Sequence, residues 1–114
     1  MLSARTARGP ELRKSRRRLA KGSDESGVMK RRAEIDEIDM ALLQLIARRR
    51  DIALEIAKIK QKIGSADDEQ RLKDILDKVQ KRAEELGLDP EEMKSLWKSM
   101  IAYMIREQMK KYPY

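Results

Sequence analysis

Apolar residues first fall into a sustained period after residue 30. Ile35, Ile38, Leu42, Leu45, Arg49, Ile52, Ile56, Ile59 and Ile63 follow one another at alternating steps of three and four. That spacing is a heptad seam on one long helix, and eight of its nine positions are aliphatic. Gly64 predicts its end, as a glycine just past the last turn takes the left-handed backbone most readily. Asp67 or Ser65 can cap a second helix, with Gln70 at the third helical position if Asp67 is the cap. Its apolar face is Leu72, Ile75, Leu76, Val79, Ala83 and Leu86, and Gly87 closes it. Asp89 followed by Pro90 and Glu92 then starts a third helix with two start signals in agreement. The third stripe is Met93, Leu96, Trp97, Met100, Ile101, Met104 and Ile105, continuing towards Met109. No strand or hairpin signal occurs, so the predicted fold is all-α with three helices.

The first helix is too long for its company. About thirty residues at ~1.5 Å rise make a rod some 45 Å in length. Two shorter helices leave part of such a seam bare, so the pattern predicts an intertwined homodimeric helical bundle.

Upstream the pattern is different. Residues 1–28 are rich in Arg, Ser and Gly without apolar periodicity, which predicts a basic, disordered N-terminal extension ahead of a folded domain over 29–114. The net charge of +7 belongs to this end of the chain. Residues 1–32 hold 11 Lys/Arg against 3 Asp/Glu, whereas the rest holds 16 against 17. The folded part is therefore near neutral, and a nucleic-acid partner is not expected except through the tail around "RKSRRRL". Other readings of the tail are a solvated extension, residues upstream of a start at Met29, or a transit peptide. No apolar run has membrane-spanning length, and a cytoplasmic location without a membrane partner is the expectation.

The chain has no cysteine and no histidine. Disulfides, thiol nucleophiles, the usual zinc ligand sets and a histidine base are thereby excluded. No metal and no cofactor is expected.

The chemistry that remains lies in charges on apolar faces. Arg49 is the one cation on the seam, and guanidinium is seldom buried without a partner. Lys60 follows eleven residues later, three turns plus about 20°, and so projects from nearly the same face roughly 16 Å along the axis. Gln108 continues the third stripe one turn beyond Met104, and Arg71 stands in the first turn of the second helix. A small anion with more than one carboxylate would satisfy such a set. Cations and an amide suit a reaction driven by holding a flexible dianion in a reactive shape while charge develops on an oxygen.

The run "RRAEIDEIDMALLQLIARRRDIALEIAKIK", then "DDEQR", then "GLDPEEMKSLWKSMIAYMIREQ" resembles the all-α chorismate mutases from Arg31 to about Gln108. The Ile-Asp-x-Ile-Asp entry, the Arg and Lys eleven apart, D-x-x-R and the final Glu-Gln are specific together and weak singly. The resemblance implies a homodimer with two sites, each converting chorismate to prephenate by a cofactor-free Claisen rearrangement, an isomerase step of aromatic amino acid biosynthesis in the shikimate pathway. It implies that Arg49 binds a substrate carboxylate and that Lys60 and Gln108 donate to the ether oxygen. Arg71 and the Asp68 backbone would lie near the ring hydroxyl, and Arg32 would enter from the partner chain. Arg32 precedes Arg49 by about 25 Å of straight helix, beyond reach of a ligand on its own Arg49 and Lys60.

Two positions depart from the family pattern. Leu72 stands where a glutamate usually contacts the substrate hydroxyl, and Met104 where a small polar residue is usual. Both belong to the expected substrate-binding set. They also fit a sister activity on the same fold, isochorismate-pyruvate lyase. A further alternative is a non-catalytic helical interaction module, in which Arg49 and Lys60 would pair with protein carboxylates.

Overall fold

A computed structural model describes the backbone of residues 10–63 and 69–113, and the side chains of residues 24–62 and 69–113. The described residues form three helices and no strand: α1 Pro10–Ile63, α2 Glu69–Glu85 and α3 Pro90–Lys111. The expected ends at Gly64, the caps at Ser65 and Asp67, and Asp68 lie outside the described residues.

The helix α1 begins well before the apolar period does. The backbone is helical from Pro10, so residues 10–28, expected to lack structure, are the upstream part of the helix. Proline suits a first helical position, and Leu, Arg, Lys and Ala dominate the next turns with high intrinsic helix propensity. An apolar period is a signal of packing, and its absence here says nothing against that local preference.

The chain divides into two units, residues 1–45 and 46–114. In the first, the described side chains are exposed throughout, including Ile35, Ile38, Leu42 and Leu45. Arg32 is exposed there as well.

The second unit joins the end of α1 to α2 and α3. Its turn between α2 and α3 follows the sequence closely. Gly87 has φ +73°, its N–H donates to the Glu84 carbonyl at 3.2 Å, and the Leu88 N–H donates to the Ala83 carbonyl at 2.9 Å. These two bonds make a Schellman ending, which places the left-handed residue where only glycine is unstrained. Two residues on, Asp89 Oδ1 accepts from the backbone N–H of Glu91 at 3.0 Å and of Glu92 at 3.2 Å. Asp89→Ala leaves both amides without that acceptor and is expected to lower the unfolding free energy by about 1 kcal/mol. A urea titration reads this as a lower midpoint at unchanged slope; an unchanged midpoint would show that the cap contributes nothing.

The stripes of α2 and α3 meet at most, but not all, of the positions the pattern predicts. Ala83 and Met104 are buried, and Ile75, Leu76, Val79, Met93, Trp97, Met100 and Ile101 are half-buried. Leu86, Leu96 and Ile105 stay exposed. Lys94 Nζ donates to Gln80 Oε1 at 3.1 Å across the same pair of helices.

The packing of α1 differs from the heptad reading. Its covered residues are Ile46, Ala47, Arg49, Arg50, Ala53, Leu54, Ala57 and Lys60, with Ala57 only 5% exposed. The seam residues Ile52, Ile56 and Ile59 are open, Ile59 at 57%. At 100° per residue, the covered stripe is turned by roughly a third of the circumference from the seam. Alanines let a neighbouring backbone come close, and the large residues of the seam are left over. Arg49 and Lys60 lie on the border between the two faces, not in the middle of a buried one.

Candidate active site

Arg49 is half-buried, and its Nη1 lies 2.8 Å from the Sδ of Met104 on α3. Met104 is 2% exposed, the largest fully buried side chain among the described residues. A thioether is a weak acceptor and supplies no charge, so the guanidinium is desolvated on one side without compensation. Its pKa is lowered accordingly, first by burial and then by the charge of Arg71. Arginine remains protonated at every working pH. The shift therefore expresses a cation held at a cost, which a bound anion would offset.

Among the described residues, no carboxylate lies within ion-pairing distance of Arg49 or Lys60; the ion pairs there join other residues. This departs from what an interaction module with paired seam cations would have. Lys60 is half-buried on the Arg49 side of α1. Arg71 is exposed in the first turn of α2, close enough to Arg49 to act on it electrostatically.

Gln108 is half-buried on α3, and its Nε2 donates to the Ala53 carbonyl at 3.3 Å. Ala53 is one turn past Arg49, so the amide sits against the stretch of α1 between the two cations. That bond is long and uses one of two N–H groups; the amide keeps a donor and an acceptor for a ligand. One turn earlier on α3, Met104 touches Arg49 itself. The residue expected to contact substrate is thus packed beneath another member of the set.

The second unit therefore brings together Arg49, Met104, Gln108 and the charge of Arg71, with Lys60 on the same side of α1. Leu72 is 39% exposed beside Arg71. Arg32 lies in the first unit, and Asp68 lies outside the described residues.

Arg48 and Arg50, the neighbours of Arg49, fall off the heptad seam, where solvated side chains are expected. Arg48 is exposed as expected, but Arg50 is half-buried. Its Nε and Nη2 both donate to Asp51 Oδ1, at 3.1 and 2.9 Å, and this acceptor raises its pKa. Arg50, Asp51 and Leu54 line an open groove of about 460 Å³ with Glu107, Lys110 and Lys111. None of the expected site residues lines it, and Lys110 is already paired to Glu107 at 2.9 Å.

What sequence reasoning missed was the alanine face. Ala53 and Ala57 were one turn apart in plain view, but a count of large aliphatics does not register them. Among the described residues, no cluster of potential metal ligands occurs, and no helix is long and apolar enough to cross a membrane.

Residues 31–109 match the family described as chorismate mutase type II. The chain belongs to the chorismate mutase type II family. The match contains every expected site residue, from Arg32 to Gln108. A chorismate mutase of Methanocaldococcus jannaschii is similar as well, with 41% identity over 59 residues. That alignment covers 51% of this chain and 60% of the relative, so the chain spans less than two thirds of the curated relative's length. No solved structure matches the chain. Within the chorismate mutase type II family, the cation pair on α1 and the amide on α3 are thus found in the matched segment, on the helices where the sequence reading expected them.

Proposed function

We propose that the protein is a chorismate mutase, an isomerase that converts chorismate to prephenate without a cofactor. The observation that carries the reading is Arg49. It is a half-buried guanidinium backed by a thioether and repelled by a second guanidinium, with no carboxylate partner among the described residues. A site of that kind gains most from a compact dianion.

In this reading the reaction is one concerted step within the bound molecule. The ether C–O bond breaks as a C–C bond forms, and no proton is transferred to or from the protein. Arg49 holds a carboxylate and fixes the reactive conformer. Lys60 and the remaining N–H of Gln108 donate to the ether oxygen, whose negative charge grows as its bond lengthens. Arg71 and the Asp68 backbone serve the ring hydroxyl. Leu72 adds no hydrogen bond there, which weakens the discrimination expected from the usual glutamate. The folded domain is taken as residues 29–114 with the preceding residues as an extension, and a cytoplasmic place fits a small-molecule pathway.

The working form is a homodimer. Its support is the exposed aliphatic seam of α1, whose burial by a second copy would contribute on the order of 25 cal/mol per Å². The partner would also deliver Arg32 to the substrate. A mixture of inactive Arg32→Ala and Lys60→Ala chains should then recover activity. After free exchange it reaches about a quarter of the wild-type rate, because half the dimers are mixed and each mixed dimer has one intact site. No recovery after exchange, or sedimentation of the wild type at the mass of a single chain, would refute the shared site.

The deciding assay offers chorismate and isochorismate separately to the purified protein. Prephenate from chorismate is expected. Salicylate and pyruvate from isochorismate, without prephenate, would assign the lyase activity instead. Turnover of neither would end the enzymatic reading.

A further inference from the structure

We propose that Met104 is a positioning residue: its thioether holds the Arg49 guanidinium in place for the incoming carboxylate. The identity of that anion rests on the mutase reading; the contact does not. The proposal stands on the contact, the burial and the charge environment of Arg49. The Met104 Sδ is 2.8 Å from Arg49 Nη1. Met104 is 2% exposed, so its own position is fixed by the packing around it. Arg71 acts electrostatically on the same guanidinium, and no carboxylate among the described residues pairs with Arg49. Finally, Met104 has almost no surface to offer a ligand directly, so it acts through Arg49.

An arginine side chain has several free torsions, and fixing them at the moment of binding costs conformational entropy. A polarizable thioether that accepts one N–H removes part of that freedom in advance and leaves the other N–H donors for a planar, two-point grip on a carboxylate. A small polar residue at this position could reach the ligand itself; methionine fills the space and passes the contact to Arg49. The departure from the family pattern at Met104 thereby becomes a change of route and not a lost interaction.

The test compares Met104→Leu, which keeps volume and removes the acceptor, with Met104→Ala, which removes both. The probe is a bicyclic dicarboxylate that mimics the transition state, with its Kd measured by calorimetry well below each variant's melting temperature. Met104→Ala is expected to raise Kd and KM about tenfold with a smaller change in kcat, and Met104→Leu about threefold, as misplacement of a binding group predicts. Combined with Arg49→Ala, either change at Met104 should add almost nothing further to Kd, since the residue acts through the arginine. The Arg49 Nε–Hε resonance should shift in both variants.

A purely structural methionine would lower the melting temperature, leave Kd and the resonance unchanged, and add fully to Arg49→Ala; that pattern overturns the proposal. Should Met104→Ala fail to fold, Met104→Leu decides by the same two readouts. A wild type that binds neither chorismate nor the bicyclic probe would refute the proposed function, while the Arg49 resonance would still judge the contact.

Discussion

Lys60→Ala is expected to lower kcat/KM for chorismate by about 10²–10³-fold, the loss of about 2.7–4 kcal/mol seen when a donor to a developing oxyanion is removed. Lys60 is half-buried beside the open seam and has no ion-pair partner among the described residues. Its truncation therefore breaks no described salt bridge, and the effect should be on rate and not on the fold. Stability in urea should change by well under 1 kcal/mol, as for other substitutions away from a packed core. The measurement is steady-state kinetics beside an unfolding curve. A loss of less than about fivefold would place Lys60 outside the reaction and return it to the ordinary surface.

Gln108→Glu should convert a pH-independent site into a pH-dependent one. The wild-type amide donates its N–H at every pH. A glutamic acid can donate only while protonated, and its unperturbed pKa is about 4.3. At neutral pH the variant would present an acceptor and a negative charge to an oxygen that is itself becoming negative. Its activity should fall by about two to three orders of magnitude near pH 7 and recover about tenfold for each pH unit of acidification towards the carboxyl pKa. The sign follows from the protonated form being the active one: activity rises as pH falls. The neighbouring guanidiniums of Arg49 and Arg71 favour the ionised carboxylate, so they move the recovery to lower pH. A flat profile would remove Gln108 from the ether oxygen. The Gln108 bond to the Ala53 carbonyl gives a second check, because a carboxylate cannot make it and α3 would lose one tie to α1.

The parts of the fold written in local chemistry were legible. Gly87, Asp89 and Pro90 act through backbone angles and hydrogen bonds that involve only their neighbours, and the α2–α3 turn has the predicted form. The seam on α1 was legible as a pattern, but its meaning was not. Nothing in a heptad says whether the face meets the same chain or another, and here the chain's own helices use the alanine side. The start of α1 lies upstream of that pattern: residues 11–21 are rich in Leu, Arg and Lys, which favour helix locally without forming an apolar stripe. At the site, Arg49, Lys60 and Gln108 stood out because polar groups on apolar stripes need partners. The contact of Arg49 with Met104 could not be read, since it joins residues 55 positions apart and depends on how closely two helices approach. For Asp68 and Arg32, sequence remains the source of their placement.

The turn between α2 and α3 also bears on how the molecule is made. Its Schellman ending and aspartate cap lie within ten residues, Ala83 to Glu92, and ask nothing of distant segments. Two short helices joined by such a turn make contacts of low sequence separation, the kind that form in microseconds to milliseconds. The seam of α1 has no comparable local reward. In the dimeric reading, assembly thus separates into a fast step within one chain, in which the α2–α3 hairpin closes, and a slower step whose rate depends on protein concentration. A newly made chain would carry its Gln108 and Arg71 on an already formed hairpin, and would wait for a second chain before its long helix found cover.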